Sequence, residues 1–269
     1  KQYDLDAWAH PMFGRSNHVQ GVIYDDRNHL ENSKLGLPTN FLWFPIHDTE
    51  LNAGARRYIR EGEADGLDSR YKCRIRTPWY RVPSVRTAPV GMLKRCHHYP
   101  RLVLNQAEAL TTDTAYRIVP KDITGSKLVG CFVNSLTALT AELEGRHYGG
   151  GVLELVPSEI ERLLIPLPSS VHKSLVRNLD EQVRSESASE TLIAAQDSRV
   201  LVPIGVRQSH SDMLISAWSR LRHRRHRTPT ASAEDQEDVD SSVATTRSRR
   251  SKKSLVPRHQ VHTGRASSQ

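Results

Sequence analysis

Apolar residues in the middle of the chain come in short runs broken by Pro and Gly, and further on they recur at spacings of three and four. The first pattern predicts strands over residues 80–82, 91–94, 102–104 and 115–119, together a small sheet. The second places Leu128, Phe132, Leu136, Leu139 and Leu143 on one face and predicts a helix over 128–144 that Gly145 stops. Upstream, 18–24 is β-prone, Asp25 opens a helix running to Gly36, and 41–45 reads as a strand. Residues 50–63 read as a helix stopped by Gly62 and Gly66. Downstream, 146–151 reads as a loop around three successive glycines and 152–156 as a strand. Pro157 then opens a short helix and 164–168 is extended. Past Pro168 the sheet signals end, and 172–184, 190–202 and 211–227 read as helices, with Ser209 capping the last.

From Thr228 onward the sequence is Ser, Thr, Ala and charge without apolar periodicity, which predicts disorder. The expected fold is therefore α+β, a small mixed sheet with packed helices over 1–168. A helical extension follows over 169–227, and a disordered basic tail over 228–269. No internal repeat is visible.

Charge changes this picture more than composition does. The 269 residues carry a formal net charge of +8, with a pI near 9.6, which favours a polyanionic partner. Nine cations (Arg70, Lys72, Arg74, Arg76, Arg81, Arg86, Lys94, Arg95, Arg101) and no acid fall between residues 70 and 101, among Trp79, Tyr80 and Tyr99. Guanidinium and ammonium groups displace counterions from phosphates and aromatic rings offer stacking faces, so this strip suits duplex DNA. The plainer alternative keeps Trp79 and Tyr80 in the core behind a basic surface. Two weaker signals accompany it. The loop from Arg146 through Tyr148, Gly149, Gly150 and Gly151 lets a backbone approach closely, yet lacks the spacing of a nucleotide cradle. The run 220–227 ordinarily means a charged helix end favoured by the helix dipole, with contact to a DNA backbone the lesser reading.

No stretch approaches the roughly 20 apolar residues that span a bilayer, and residues 1–10 show no signal-peptide core, so a cytoplasmic protein without a membrane partner is expected. Cys73, Cys96 and Cys131 are odd in number and far apart, which predicts reduced thiols. Cys96 with His97 and His98 lacks metal-ligand spacing, and no metal is assigned. Catalytic patterns are missing as well: no NPP[YF], GxGxxG, P-loop, GxSxG, HExxH or paired-carboxylate nuclease pattern occurs, so no catalytic residue is named.

Several motifs in order carry a family resemblance. Arg70-Tyr71-Lys72-Cys73-Arg74-Ile75-Arg76, Pro78-Trp79-Tyr80, Pro100-Arg101-Leu102-Val103-Leu104-Asn105 and Thr112-Asp113-Thr114 resemble the target-recognition part of adenine-specific DNA methyltransferases of restriction-modification systems. Phe132-Val133-Asn134-Ser135, the run from Gly145 to Leu155, and Ala217-Trp218-Ser219-Arg220-Leu221 resemble the remainder of that C-terminal region, so the likeness covers about residues 13–227. Members of that family join this region to a Rossmann-like domain that binds S-adenosylmethionine and carries NPP[YF], which holds an adenine flipped out of the stack. The resemblance implies double-stranded DNA as partner, a catalytic methyltransferase domain or chain beside it, and no cofactor bound by this chain. It implies DNA contacts from Arg74, Arg76, Arg81, Lys94, Arg95 and Asn105, with Trp79 and Tyr80 shaping or stacking on the strip and the loop of Arg146, Tyr148, Gly149, Gly150 and Gly151 approaching the backbone. The start at Lys1 fits a fragment or the specificity half of a split enzyme; a free-standing DNA-binding module is the alternative, and a nuclease a weaker one.

Overall fold

A computed structural model describes residues 2–44, 50–83, 86–111, 113–185 and 187–227, all within one packed unit. The expected tail over 228–269, and the ends of two predicted features at Pro45 and Thr112, lie outside the described residues. In chain order the strands are β1 (Ala9–Phe13), β2 (Ile23–Tyr24), β3 (Asn40–Leu42), β4 (Val90–Leu93), β5 (Arg95–Cys96), β6 (Leu102–Asn105), β7 (Leu110–Thr111), β8 (Ala115–Ile118), β9 (Arg146–Tyr148) and β10 (Val152–Glu154). The helices are α1 (Asp26–Lys34), α2 (Ala53–Ala64), α3 (Tyr71–Arg74), α4 (Gly125–Phe132), α5 (Ser135–Glu144), α6 (Pro157–Ile160), α7 (Leu175–Arg184), α8 (Ser189–Val200) and α9 (Gln208–Arg227). The fold is α+β.

The largest sheet runs β2-β6-β4-β8, with β2 and β6 parallel and the other pairs antiparallel. Its strands obey the period of two. Val90, Met92, Leu102 and Leu104 enter the main core, where α4 and α7 cover them, while Val103 enters a second cluster with Phe13, Val19 and Tyr24. Gly91 lets this second layer close: a Cβ there would stand 2.5 Å from Phe13 Cζ. The main core continues from these strands to Val176, Leu192 and Trp218, all buried. Two three-stranded sheets, β3-β1-β7 and the antiparallel β5-β10-β9, flank it.

Several sequence expectations are corrected. The helix expected over 128–144 is two helices, because Val133 and Asn134 are extended and buried Asn134 caps α5. Its Oδ1 accepts from Thr137 N at 2.9 Å, while its Nδ2 donates to Cys131 O at 2.8 Å and to Thr137 Oγ1 at 2.9 Å. Asn134→Ala removes the cap and orphans buried partners, and should cost about 2 kcal/mol in urea unfolding; a loss under about 0.5 kcal/mol would contradict this role. Gly62 does not stop α2 but lies inside it, where a Cβ would meet Trp79 Cη2 at 2.8 Å. Gly66, at φ 70°, ends the helix, with Leu67 N donating to Gly62 O and Gly66 N to Glu63 O, both at 2.9 Å.

Residues 80–82, expected as a strand, are irregular, and 146–151 is strand β9 followed by a 3-10 turn rather than a loop. α9 starts at Gln208, so Ser209 sits inside its first turn and is not the cap. The three cysteines are free, and burial pushes the Cys96 thiol up to about 12. Among the described residues no helix is long and apolar enough to cross a membrane.

Candidate nucleic-acid interface

The cationic strip does not fold as one surface. α3 is a single turn in which the Arg74 guanidinium lies 5.6 Å from the centre of the exposed Tyr71 ring. Arg76 follows it, half-buried, and lines two neighbouring concavities. The larger is an open cleft of about 930 Å³ where Lys72 and Arg76 from this segment meet Lys94 after β4 and Arg117 on the edge strand β8. Tyr116 lies among them, with Lys94 Nζ 5.0 Å from its ring centre. Four cations therefore face two acids, Asp113 and Glu161, in the cleft lining among the described residues.

The smaller concavity holds Arg74 and Arg76 with Arg56, Arg60, Trp79 and Tyr80, and with Glu63 and Asp68. Trp79 is committed here to packing. Its ring lies over Gly62 and against the cluster of Phe44, Leu51, Ala55 and Ile59, and its Nε1 donates to Glu63 Oε1 at 3.0 Å. Tyr80 stands edge-on to Phe44, centres 5.9 Å apart. The rings that are exposed include Tyr71 and Tyr148, with Tyr58 on α2 exposed as well. Arg81 is half-buried just beyond Tyr80, its N–H donating to Pro78 O at 3.1 Å.

Arg101, the last cation of the strip, and the expected contact Asn105 both turn away from the surface. Arg101 turns inward and its Nη2 donates to Val19 O at 2.6 Å; burial holds its guanidinium below the usual range. Asn105 is buried, donating to Ala88 O and Ala109 O and accepting from Ala109 N, each at 2.9 Å, so its amide braces the turn after β6.

Arg95 lies on the third sheet, where cross-strand register puts Glu154 between Arg95 and Arg146. Arg95 Nε pairs with Glu154 Oε2 at 2.5 Å and its guanidinium lies 5.8 Å from the Tyr148 ring centre. Arg146 Nε pairs with Glu159 Oε1 at 2.8 Å. Both arginines remain more than half exposed, whereas Glu154 and Glu159 are only 15% and 7% exposed, so each guanidinium neutralises a largely buried carboxylate and keeps its outer N–H groups open to a second anion. Burial pushes the Glu159 carboxyl up, but the Val156 N–H and the Arg146 guanidinium outweigh it and hold it below its usual range. Burial raises the Tyr116 phenol, Glu154 and Glu159 add to this, and Arg146 opposes it; the third sheet is thus an electrostatic neighbour of the cleft.

The triple glycine serves the chain itself. Gly150 and Gly151 take φ of 73° and 74°, and a Cβ on Gly151 would come within 3.3 Å of His226. Gly151 O accepts from Arg225 Nη1. Lys72 belongs to the strip seen in the sequence, whereas Tyr116 and Arg117 carry no binding signal there beyond their strand. The signal for Arg117 was present, as a cation between Tyr116 and Ile118 on a short strand is how an exposed edge reads.

A family model described as the type II methyltransferase M.Eco57I, C-terminal domain, matches residues 1–201. The chain belongs to this family. α9 lies beyond the matched residues. The type II methyltransferase M.XamI of Xanthomonas campestris pv. amaranthicola is 28% identical over 115 residues, which cover 43% of this chain and 22% of that protein. The type IIG restriction endonuclease BpuSI superposes with a TM-score of 0.49 at 13% identity, over 82% of this chain and 26% of that one. The chain thus matches about a quarter or less of the length of each relative.

Proposed function

We propose that this C-terminal domain holds a specific duplex DNA sequence for an S-adenosylmethionine-dependent catalytic domain that methylates adenine at N6. The observation that carries this is the convergence of Lys72, Arg76, Lys94 and Arg117, from segments far apart in sequence, on one open cleft beside Tyr116. Cations gathered by folding around a concave surface suit phosphate contact, and the exposed guanidinium groups of Arg95 and Arg146, with the Tyr148 ring beside Arg95, continue this surface along the third sheet. Arg74 and Arg81 border the cleft segment, and Gly149 and Gly150 shape the hairpin that carries Tyr148. Trp79 and Tyr80 act behind the surface, fixing the segment that bears Arg74 and Arg76, and Asn105 is left out of the contact set. No residue of this chain is assigned to the cofactor or to methyl transfer.

The test is binding of the 269-residue chain to duplex DNA at two salt concentrations, followed by methylation with S-adenosylmethionine once a catalytic methyltransferase chain is supplied. Salt-sensitive duplex binding, and N6-methyladenine only when both chains are present, are expected. Binding without methylation under any pairing would favour a free-standing DNA-binding module, and no duplex binding would end the proposal.

A further inference from the structure

The run Arg220-Leu221-Arg222-His223-Arg224-Arg225-His226-Arg227 is split by the fold into an inner and an outer set. Arg222 and Arg225 are buried: Arg222 pairs with Glu190 and lies 4.7 Å from the Trp218 ring centre, while Arg225 pairs with Glu142. Arg220, His223, Arg224 and Arg227 are exposed and line one shallow depression with no acid in it among the described residues. Their spacing of i, i+3, i+4 and i+7 puts them on one helical face about 10 Å long.

The helix dipole accounts for cations in the last turn only. Arg220 lies nearly two turns from the end, beyond the reach of that effect. The face is also held rigidly. Arg225 donates to Gly151 O, His226 Nε2 lies 2.8 Å from His97 O, and the His98 and His226 rings are 6.0 Å apart. These contacts fix the end of α9 against the β9–β10 hairpin that carries Arg146 and Tyr148 and against the segment after β5.

We propose that the outer face of α9 is a second phosphate-contact surface, which lengthens the duplex footprint beyond the cleft. This rests on the DNA-binding reading above but on a helix outside the family-matched residues. A rail of about 10 Å is long enough to lie beside roughly two successive phosphates of one strand. Contact is to backbone, so it adds affinity and positions the duplex without reading bases.

The test is the salt dependence of binding of the 269-residue chain to a fluorescein-labelled 24-base-pair duplex. R220A/R227A should reduce the slope of log K against log salt by about 2 and weaken binding about thirtyfold at 0.15 M salt. R220K/R227K should restore most of the slope. Both side chains are exposed, so an unchanged melting curve will show that folding is intact. An unchanged slope in R220A/R227A, while K72A/R76A/K94A still loses binding, overturns the rail and leaves the DNA reading standing. Failure of the unaltered chain to bind overturns both.

Discussion

Arg225→Ala is expected to destabilise the folded chain by about 3–5 kcal/mol, the cost of leaving a buried carboxylate without its partner. Arg225 and Glu142 are 0% and 1% exposed, and the guanidinium grips the carboxylate at both ends, Nη2 to Oε1 at 2.6 Å and Nε to Oε2 at 3.0 Å. Without Arg225, Glu142 keeps only His147, whose Nε2 is 3.5 Å from Oε2, and Gly151 O loses its donor. Replacing both charges by apolar groups, Arg225→Met with Glu142→Leu, should recover most of the loss, because the penalty comes from the stranded charge. Urea unfolding of the two single variants and the pair gives the coupling directly. Equal losses in the single and double variants would mean that the cost is packing alone.

Neutralising the cleft should have the largest effect on binding. K72A/R76A/K94A removes three cations that converge from two separate segments. Each phosphate contact contributes about 0.9 to the salt slope, so the slope should fall by about 3 and affinity at 0.15 M salt by roughly a hundredfold. Lys72 is exposed and the other two are half-buried around open space, so the melting temperature should change little. Retained affinity with an unaltered slope would place the DNA elsewhere on the molecule.

Much of the fold was legible because its signals are local. Short β-prone runs at 102–104 and 115–119, bounded by Pro100 and Pro120, marked two strands of the main sheet, and Asp25 marked the start of α1, where it accepts from Asn28 N at 2.9 Å. What stayed hidden depends on distant partners. The period of 128–144 runs straight through Val133 and Asn134, and only the buried amide bonds of Asn134 break it. Gly62 reads as a breaker until Trp79, seventeen residues on, covers it. The cationic strip was visible as composition, but which of its members meet was not: Lys72, Arg76 and Lys94 share a cleft with Arg117, Arg101 and Asn105 turn inward, and Arg95 joins another sheet. The run at the end of α9 looked like a solvated terminus, yet two of its arginines are among the most buried charges of the chain.

The Glu142–Arg225 pair also orders the steps of folding. Its members are 83 residues apart, so a chain emerging from the ribosome makes α5 long before α9 exists. Until then Glu142 must stay hydrated, and α5 cannot seat its inner face at full depth. The strands of the main sheet need no residue beyond Ile118 to pair and can assemble early. Closure of the helical layer therefore includes a contact that exists only once the last turn of α9 has been made, and its loop-closure cost is that of a long-range pair.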